Sequence, residues 1–115
     1  MPAITLLHNP RCSKSREALA LLEARGIEVA VRRYLDEPLD EAELRALIGR
    51  LEGDIAGLVR RKEAEWKALD ADTNDPEQVI RAILDHPRIM ERPIADDGSR
   101  AVIGRPPEAI LTLLA

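Results

Sequence analysis

Two hydrophobic periods alternate along this chain, and the switches between them mark its elements. Ile4-Thr5-Leu6-Leu7 is a short apolar run bounded by Asn9-Pro10, which reads as a buried strand. From Ser13 to Arg25 the period is helical: Ala18, Leu19, Leu21 and Leu22 share a face, and Gly26 supplies the stop. Val29, Val31 and the Tyr34-Leu35 pair predict a second strand, ended by Glu37-Pro38. The opening is therefore β-α-β, for which a parallel pair with a right-handed crossover is the expected geometry.

The middle of the chain reads as helical. Asp40 is placed to cap a helix whose apolar positions are Leu44, Leu47, Ile48 and Leu51, with Gly53 beyond it. Ile55, Leu58 and Val59 predict a short helix leading to the basic run Arg60-Arg61-Lys62. After the polar stretch from Asp70 to Asp75, Pro76 suits the first turn of a helix that buries Val79, Ile80, Ile83 and Leu84 and ends at His86-Pro87. Then the period shortens again. Pro93-Ile94-Ala95 and Ala101-Val102-Ile103 flank Asp97-Gly98, a hairpin signal. Pro106-Pro107 opens a closing helix with Ile110, Leu111 and Leu114 on one face. The sum is an α/β fold, a thioredoxin/glutaredoxin-like four-stranded mixed sheet. A helical insert over about 36–87 separates strands 2 and 3 of a single domain spanning 1–115.

Composition narrows the functions available. A chain of 115 residues with 45% hydrophobic and 33% charged residues suits one modest globular core. Trp66 and Tyr34 are the only aromatics, so platforms for stacking bases are lacking. A net charge of -4 also argues against a phosphate backbone as partner. No apolar run approaches the ~20 residues of a membrane span, and no signal peptide is visible. A cytoplasmic protein that engages neither nucleic acid nor membrane is expected. The single cysteine, Cys12, excludes an internal disulfide, and His8 and His86 lack metal-ligand spacing. No bound metal or cofactor is expected.

The chemistry concentrates in His8-Asn9-Pro10-Arg11-Cys12-Ser13-Lys14-Ser15-Arg16, where the first strand gives way to the first helix. That edge is the usual ligand site of an open α/β sheet, and the helix start offers free amides and partial positive charge. A cysteine there is favoured as the thiolate, the nucleophilic form. His8, Arg11, Lys14 and Arg16 add positive or potentially positive charge nearby. A lone cysteine is commonly a small buried hydrophobe. The polar neighbours Arg11 and Ser13 argue against that reading here. His8 either tunes the thiolate or simply ends a strand with a satisfied side chain. Arg92-Pro93-Ile94 and Gly104-Arg105-Pro106-Pro107 flank the last two strands, so the predicted fold brings them to the Cys12 loop. Arginine suits planar, bidentate recognition of oxyanions, and Arg60 in the insert is a further candidate for the same pocket. The Arg92-Pro93 bond, entering a strand, is a candidate cis peptide.

Together with Glu91-Arg92-Pro93-Ile94 and Ile103-Gly104-Arg105-Pro106-Pro107, the Cys12 segment closely resembles the glutaredoxin-coupled arsenate reductase family, over essentially the whole chain. The resemblance implies a thioredoxin-like fold and gives Cys12 the role of nucleophile. It puts Arg60, Arg92 and Arg105 around the arsenate and the arsenylated cysteine, with His8 near the thiol to help its ionisation and Ser15 as a loop hydroxyl beside it. It implies reduction of arsenate or a similar oxyanion, with glutathione as co-substrate and glutaredoxin as partner. Where the best-established reductases have a small residue and a threonine after the cysteine, this chain has Ser13-Lys14, in the Arg-Cys-Ser-Lys-Ser-Arg pattern of a sub-branch. Two rival functions share the fold. One is a glutathione-dependent thiol reductase whose arginines hold glutathione carboxylates. The other is a transcription regulator that binds RNA polymerase, whose redox-sensing forms carry a Cys-x-x-Cys switch, where this chain has Cys12 and Ser15.

Overall fold

A computed structural model of the chain describes residues 3–114. Met1, Pro2 and Ala115 lie outside the described residues, so the leader reading of the N-terminus rests on sequence alone. Four strands, β1 (Ile4–Leu7), β2 (Val29–Arg32), β3 (Ile94–Asp96) and β4 (Ala101–Ile103), form one mixed sheet in the order β2-β1-β3-β4. β1 and β2 are parallel, joined by α1 (Ser13–Ala24), and β1-β3 and β3-β4 are antiparallel. This is the predicted thioredoxin-like α/β architecture. Among the described residues, no helix is long and apolar enough to cross a membrane.

Strand alternation explains why the sheet is covered on both sides, since successive side chains point to opposite faces. Ile4 and Leu6 of β1 and Ala95 of β3 pack with Ala18 and Leu22 of α1 and with Ile110 of the closing segment. Leu7 and Ile94 point the other way, into a larger cluster with Leu44, Leu58, Trp66, Val79 and Ile83 of the insert. The insert comprises α2 (Glu41–Arg50), a 3₁₀ turn over Ile55–Leu58, α3 (Ala64–Leu69), α4 (Pro76–Asp85) and a 3₁₀ turn over Pro87–Ile89. α2 opens with a reciprocal capping box between Asp40 and Glu43, and α4 opens with Pro76 behind an Asp75 cap.

The structure departs from the sequence reading in three places. β2 stops at Arg32, and the chain turns at once: the Asp36 and Glu37 amides both donate to the Arg33 carbonyl. Tyr34 is carried under the sheet by that turn and is buried there. α3 was not predicted, because Trp66 is its sole buried residue and one apolar anchor makes no period. The closing helix over Pro107–Leu114 is 3₁₀ rather than α. Prolines 106 and 107 remove two amide donors at its start, and such short terminal turns tighten readily. The predicted hairpin forms between antiparallel β3 and β4, with Asp97-Gly98 in a four-residue loop and Gly98 at φ 93°.

One short pairing brings the insert to the sheet edge. The Arg60 amide donates to the Ile89 carbonyl, and the Glu91 amide donates to the Leu58 carbonyl, both at 2.7 Å. Val59 and Met90 are thereby bridged, which sets Arg60 alongside Glu91-Arg92. The Arg92-Pro93 bond is cis, as is Arg105-Pro106.

Candidate active site

Cys12 is the N-cap of α1, half-buried, with its amide bonded to the Asn9 carbonyl at 3.0 Å. Its side chain makes no capping bond, and the first turn of α1 holds no acidic residue. α2 and α4 differ: an aspartate caps each, and glutamates follow in the first turn. The positive end of α1 is thus left for something other than the chain's own carboxylates.

Around this point lies a cavity of about 610 Å³ whose walls include Cys12, Asn9, Tyr34, Arg60, Glu63 and Arg92. Arg11, Arg88, Leu35 and Pro87 complete its lining. Arg105 closes on Cys12 from the loop after β4, with Nη2 at 3.7 Å from Sγ. Three arginines distant in sequence therefore converge, each held differently. Arg60 is paired to Glu63 at 3.1 Å. Arg105 donates Nε to the Arg92 carbonyl at 2.9 Å and lies 3.4 Å from Glu91 Oε1. Arg92 has Nε and Nη1 buried with no hydrogen-bond partner among the described residues. Buried donors without partners are costly, and an acceptor in the cavity would relieve that cost.

His8 and Ser15, which the resemblance puts near the thiol, flank Cys12 in the chain. They are buried and bonded to each other, Nδ1 to Oγ at 2.7 Å, and the Ser15 hydroxyl also accepts the Asn9 amide at 3.0 Å. Burial, then Arg33 and Arg16, push His8 below its ordinary value of 6.5, so the neutral ring is favoured. His8 thus does not add the positive charge that the sequence reading allowed it. Arg16 donates to the Pro10 carbonyl at 2.9 Å, and Lys14 approaches Glu17 at 3.9 Å, both in exposed positions. Of the four basic candidates in the segment, Arg11 is the one that lines the cavity.

Several residues of the site were not singled out by sequence. Tyr34 read as a strand residue, yet it lines the cavity, and burial raises its phenol well above the ordinary range, so it is a protonated donor. Glu63 carries no signal beyond being an acid near an arginine, and Glu91 and Gly104 stand out only as members of the two motifs that carry the resemblance. A Cβ there would lie 2.7 Å from Pro93 Cγ and 3.1 Å from Ile110 Cγ2, so the loop that carries Arg105 packs directly against the proline after Arg92.

Comparison with known proteins agrees with this architecture. The chain is 45% identical over 117 residues to a protein of Neisseria meningitidis named arsenate reductase, covering 99% of this chain and all of that one. It is 46% identical over 114 residues to the Escherichia coli protein YfgD, covering 96% of each. A solved structure described as an arsenate reductase from Vibrio cholerae superposes with a TM-score of 0.89 at 37% identity, covering 96% of this chain and 97% of that one. The sequence profile described as the ArsC family matches residues 7–113, and at this coverage and identity the chain belongs to the ArsC family.

Proposed function

We propose that this protein reduces arsenate to arsenite through the Cys12 thiolate, with glutathione as reductant and glutaredoxin as the partner that regenerates it. The observation that carries this reading is the 3.7 Å approach of Arg105 to Cys12 Sγ beside the unpartnered Arg92 guanidinium. The names of the Neisseria and Vibrio relatives support arsenate as the oxyanion.

Arsenate presents several oxygens with spread negative charge, and guanidinium groups match such oxygens in pairs. Arg60, Arg92 and Arg105 hold it while Cys12 Sγ attacks arsenic. A sulfur–arsenic bond forms, an arsenic–oxygen bond breaks, and that oxygen takes up protons and leaves as water. The arginines also offset charge that builds up in the transition state. Arsenic is still pentavalent in this adduct. A glutathione thiol, losing its proton, then bonds to Cys12 Sγ, and the electron pair of the sulfur–arsenic bond stays on arsenic. Arsenite leaves; arsenic has gained two electrons and each sulfur has lost one. Cys12 is the only cysteine, so the mixed disulfide is resolved by an outside thiol through exchange, which glutaredoxin provides. His8 and Ser15 hold the loop that presents Cys12.

A second reading, a glutathione-dependent thiol reductase, is favoured by one feature. The cavity of about 610 Å³ falls in the range of sites for organic ligands and exceeds the needs of one small oxyanion. Arsenate-dependent NADPH consumption, coupled through glutathione, glutaredoxin and glutathione reductase, separates the two. Turnover that requires arsenate and vanishes in Cys12→Ser is expected. Turnover that persists in Cys12→Ser contradicts the scheme. No turnover, with Cys12 still rapidly alkylated at neutral pH, selects the thiol reductase.

A further inference from the structure

Arg105 faces Cys12 because it is held from behind. Its Nε donates to the Arg92 carbonyl and meets Glu91 Oε1 at 3.4 Å, which leaves Nη2 toward Sγ. Glu91 is fixed in turn: the Leu58 carbonyl accepts its amide at 2.7 Å, and the Arg92 amide donates to its Oε1 at 3.2 Å. Its side chain is only 21% exposed. Keeping a carboxylate there is costly, and burial pushes its carboxyl up while Arg105 and Arg60 oppose that shift. Arg105 faces it from the loop after β4, Arg60 from the insert, and the Tyr34 phenol from the turn after β2.

We infer that Glu91 is a positioning residue that aims Arg105 at Cys12 and, by its charge, limits how strongly that guanidinium holds the thiolate and a bound oxyanion. The limit has a chemical use. A thiolate stabilised too far is a weaker nucleophile, because intrinsic reactivity falls with basicity. An anion clamped by three uncompensated arginines also leaves slowly. Glu63 counters Arg60 in the same way, so of the three only Arg92 presents its buried donors without a carboxylate.

Glu91→Gln keeps an oxygen to accept from Arg105 and from the Arg92 amide while removing the charge. Glu91→Asp keeps the charge. The readout is the pH dependence of Cys12 alkylation by iodoacetamide, with circular dichroism to confirm the fold. In Glu91→Gln the midpoint moves down by about half a pH unit, as a lost negative charge near a thiolate requires. Glu91→Asp stays near wild type. A second arm, which rests on the arsenate reading, measures how much arsenate protects Cys12 from alkylation; Glu91→Gln needs severalfold less. An unchanged or raised midpoint in folded Glu91→Gln overturns the inference. A lowered midpoint without arsenate protection in any of the three proteins upholds the inference and counts against arsenate.

Discussion

His8 Nδ1 and Ser15 Oγ lie 2.7 Å apart, and both residues are buried on either side of Cys12 in the chain. The pair, with the Asn9 amide on the same hydroxyl, ties the end of β1 to the first turn of α1. Its work is to fix the loop. Ser15→Ala leaves two buried polar groups unsatisfied and costs about 1–3 kcal/mol of stability. Urea denaturation of the variant against wild type checks this.

The same pair predicts a pH dependence. His8 is held below its unfolded value of 6.5, so below that pH the unfolded chain binds more protons than the folded one. Its contribution to stability is therefore complete above pH 6.5 and is lost as the pH falls toward the depressed folded value. Denaturation midpoints measured between neutral pH and about pH 5 fall in wild type, and part of that slope disappears in His8→Gln. Glu91, held above its ordinary value, acts in the opposite sense on the acid side, so the wild-type-minus-variant difference is the quantity to read.

Arg92 separates stability from function. Its Nε and Nη1 are buried without partners, so Arg92→Met removes two unsatisfied donors and leaves the free protein about as stable as wild type. Arsenate binding is lost with the charge. Thermal shifts with and without arsenate test both halves: wild type gains stability with arsenate, as a ligand of the native state must produce, and the variant does not.

Gly104 is required for close approach. With Pro93 Cγ 2.7 Å from the position of an added Cβ, Gly104→Ala forces apart Pro93 and the loop of Arg105, at a cost of about 1–3 kcal/mol. Because that loop sets Arg105 against Cys12, the variant loses arsenate protection of Cys12 by more than its stability loss alone accounts for. Alkylation kinetics on the folded variant check this.

The fold was legible where a period ran long enough to read. α1, α2 and α4 each bury residues at helical spacing, and Asp40 and Pro76 signal the starts of α2 and α4. α3 buries only Trp66 and leaves Leu69 38% exposed, so nothing in the pattern distinguished it from a loop. The site was legible as residue types: one cysteine at a helix start, two arginines at Arg-Pro steps and a third in the insert. What each arginine meets was not. Glu63 three residues after Arg60 reads as an ordinary helix pair, and the reach of Glu91 to Arg105 depends on the Gly104–Pro93 packing, which no linear pattern encodes. Family resemblance puts His8 near the thiol, while its burial and its bond to Ser15 are visible only in the structure.

The central claim is that Cys12 carries arsenate through a covalent step that ends in a mixed disulfide with glutathione. A single-turnover experiment with arsenate and glutathione, omitting glutaredoxin, addresses it directly. Arsenite release and the mass of the intact protein are followed together. The account predicts about one arsenite per protein, released only when arsenate is present, with glutathione left on Cys12. Arsenite release from Cys12→Ala, or glutathione on Cys12 at the same rate without arsenate, would contradict it.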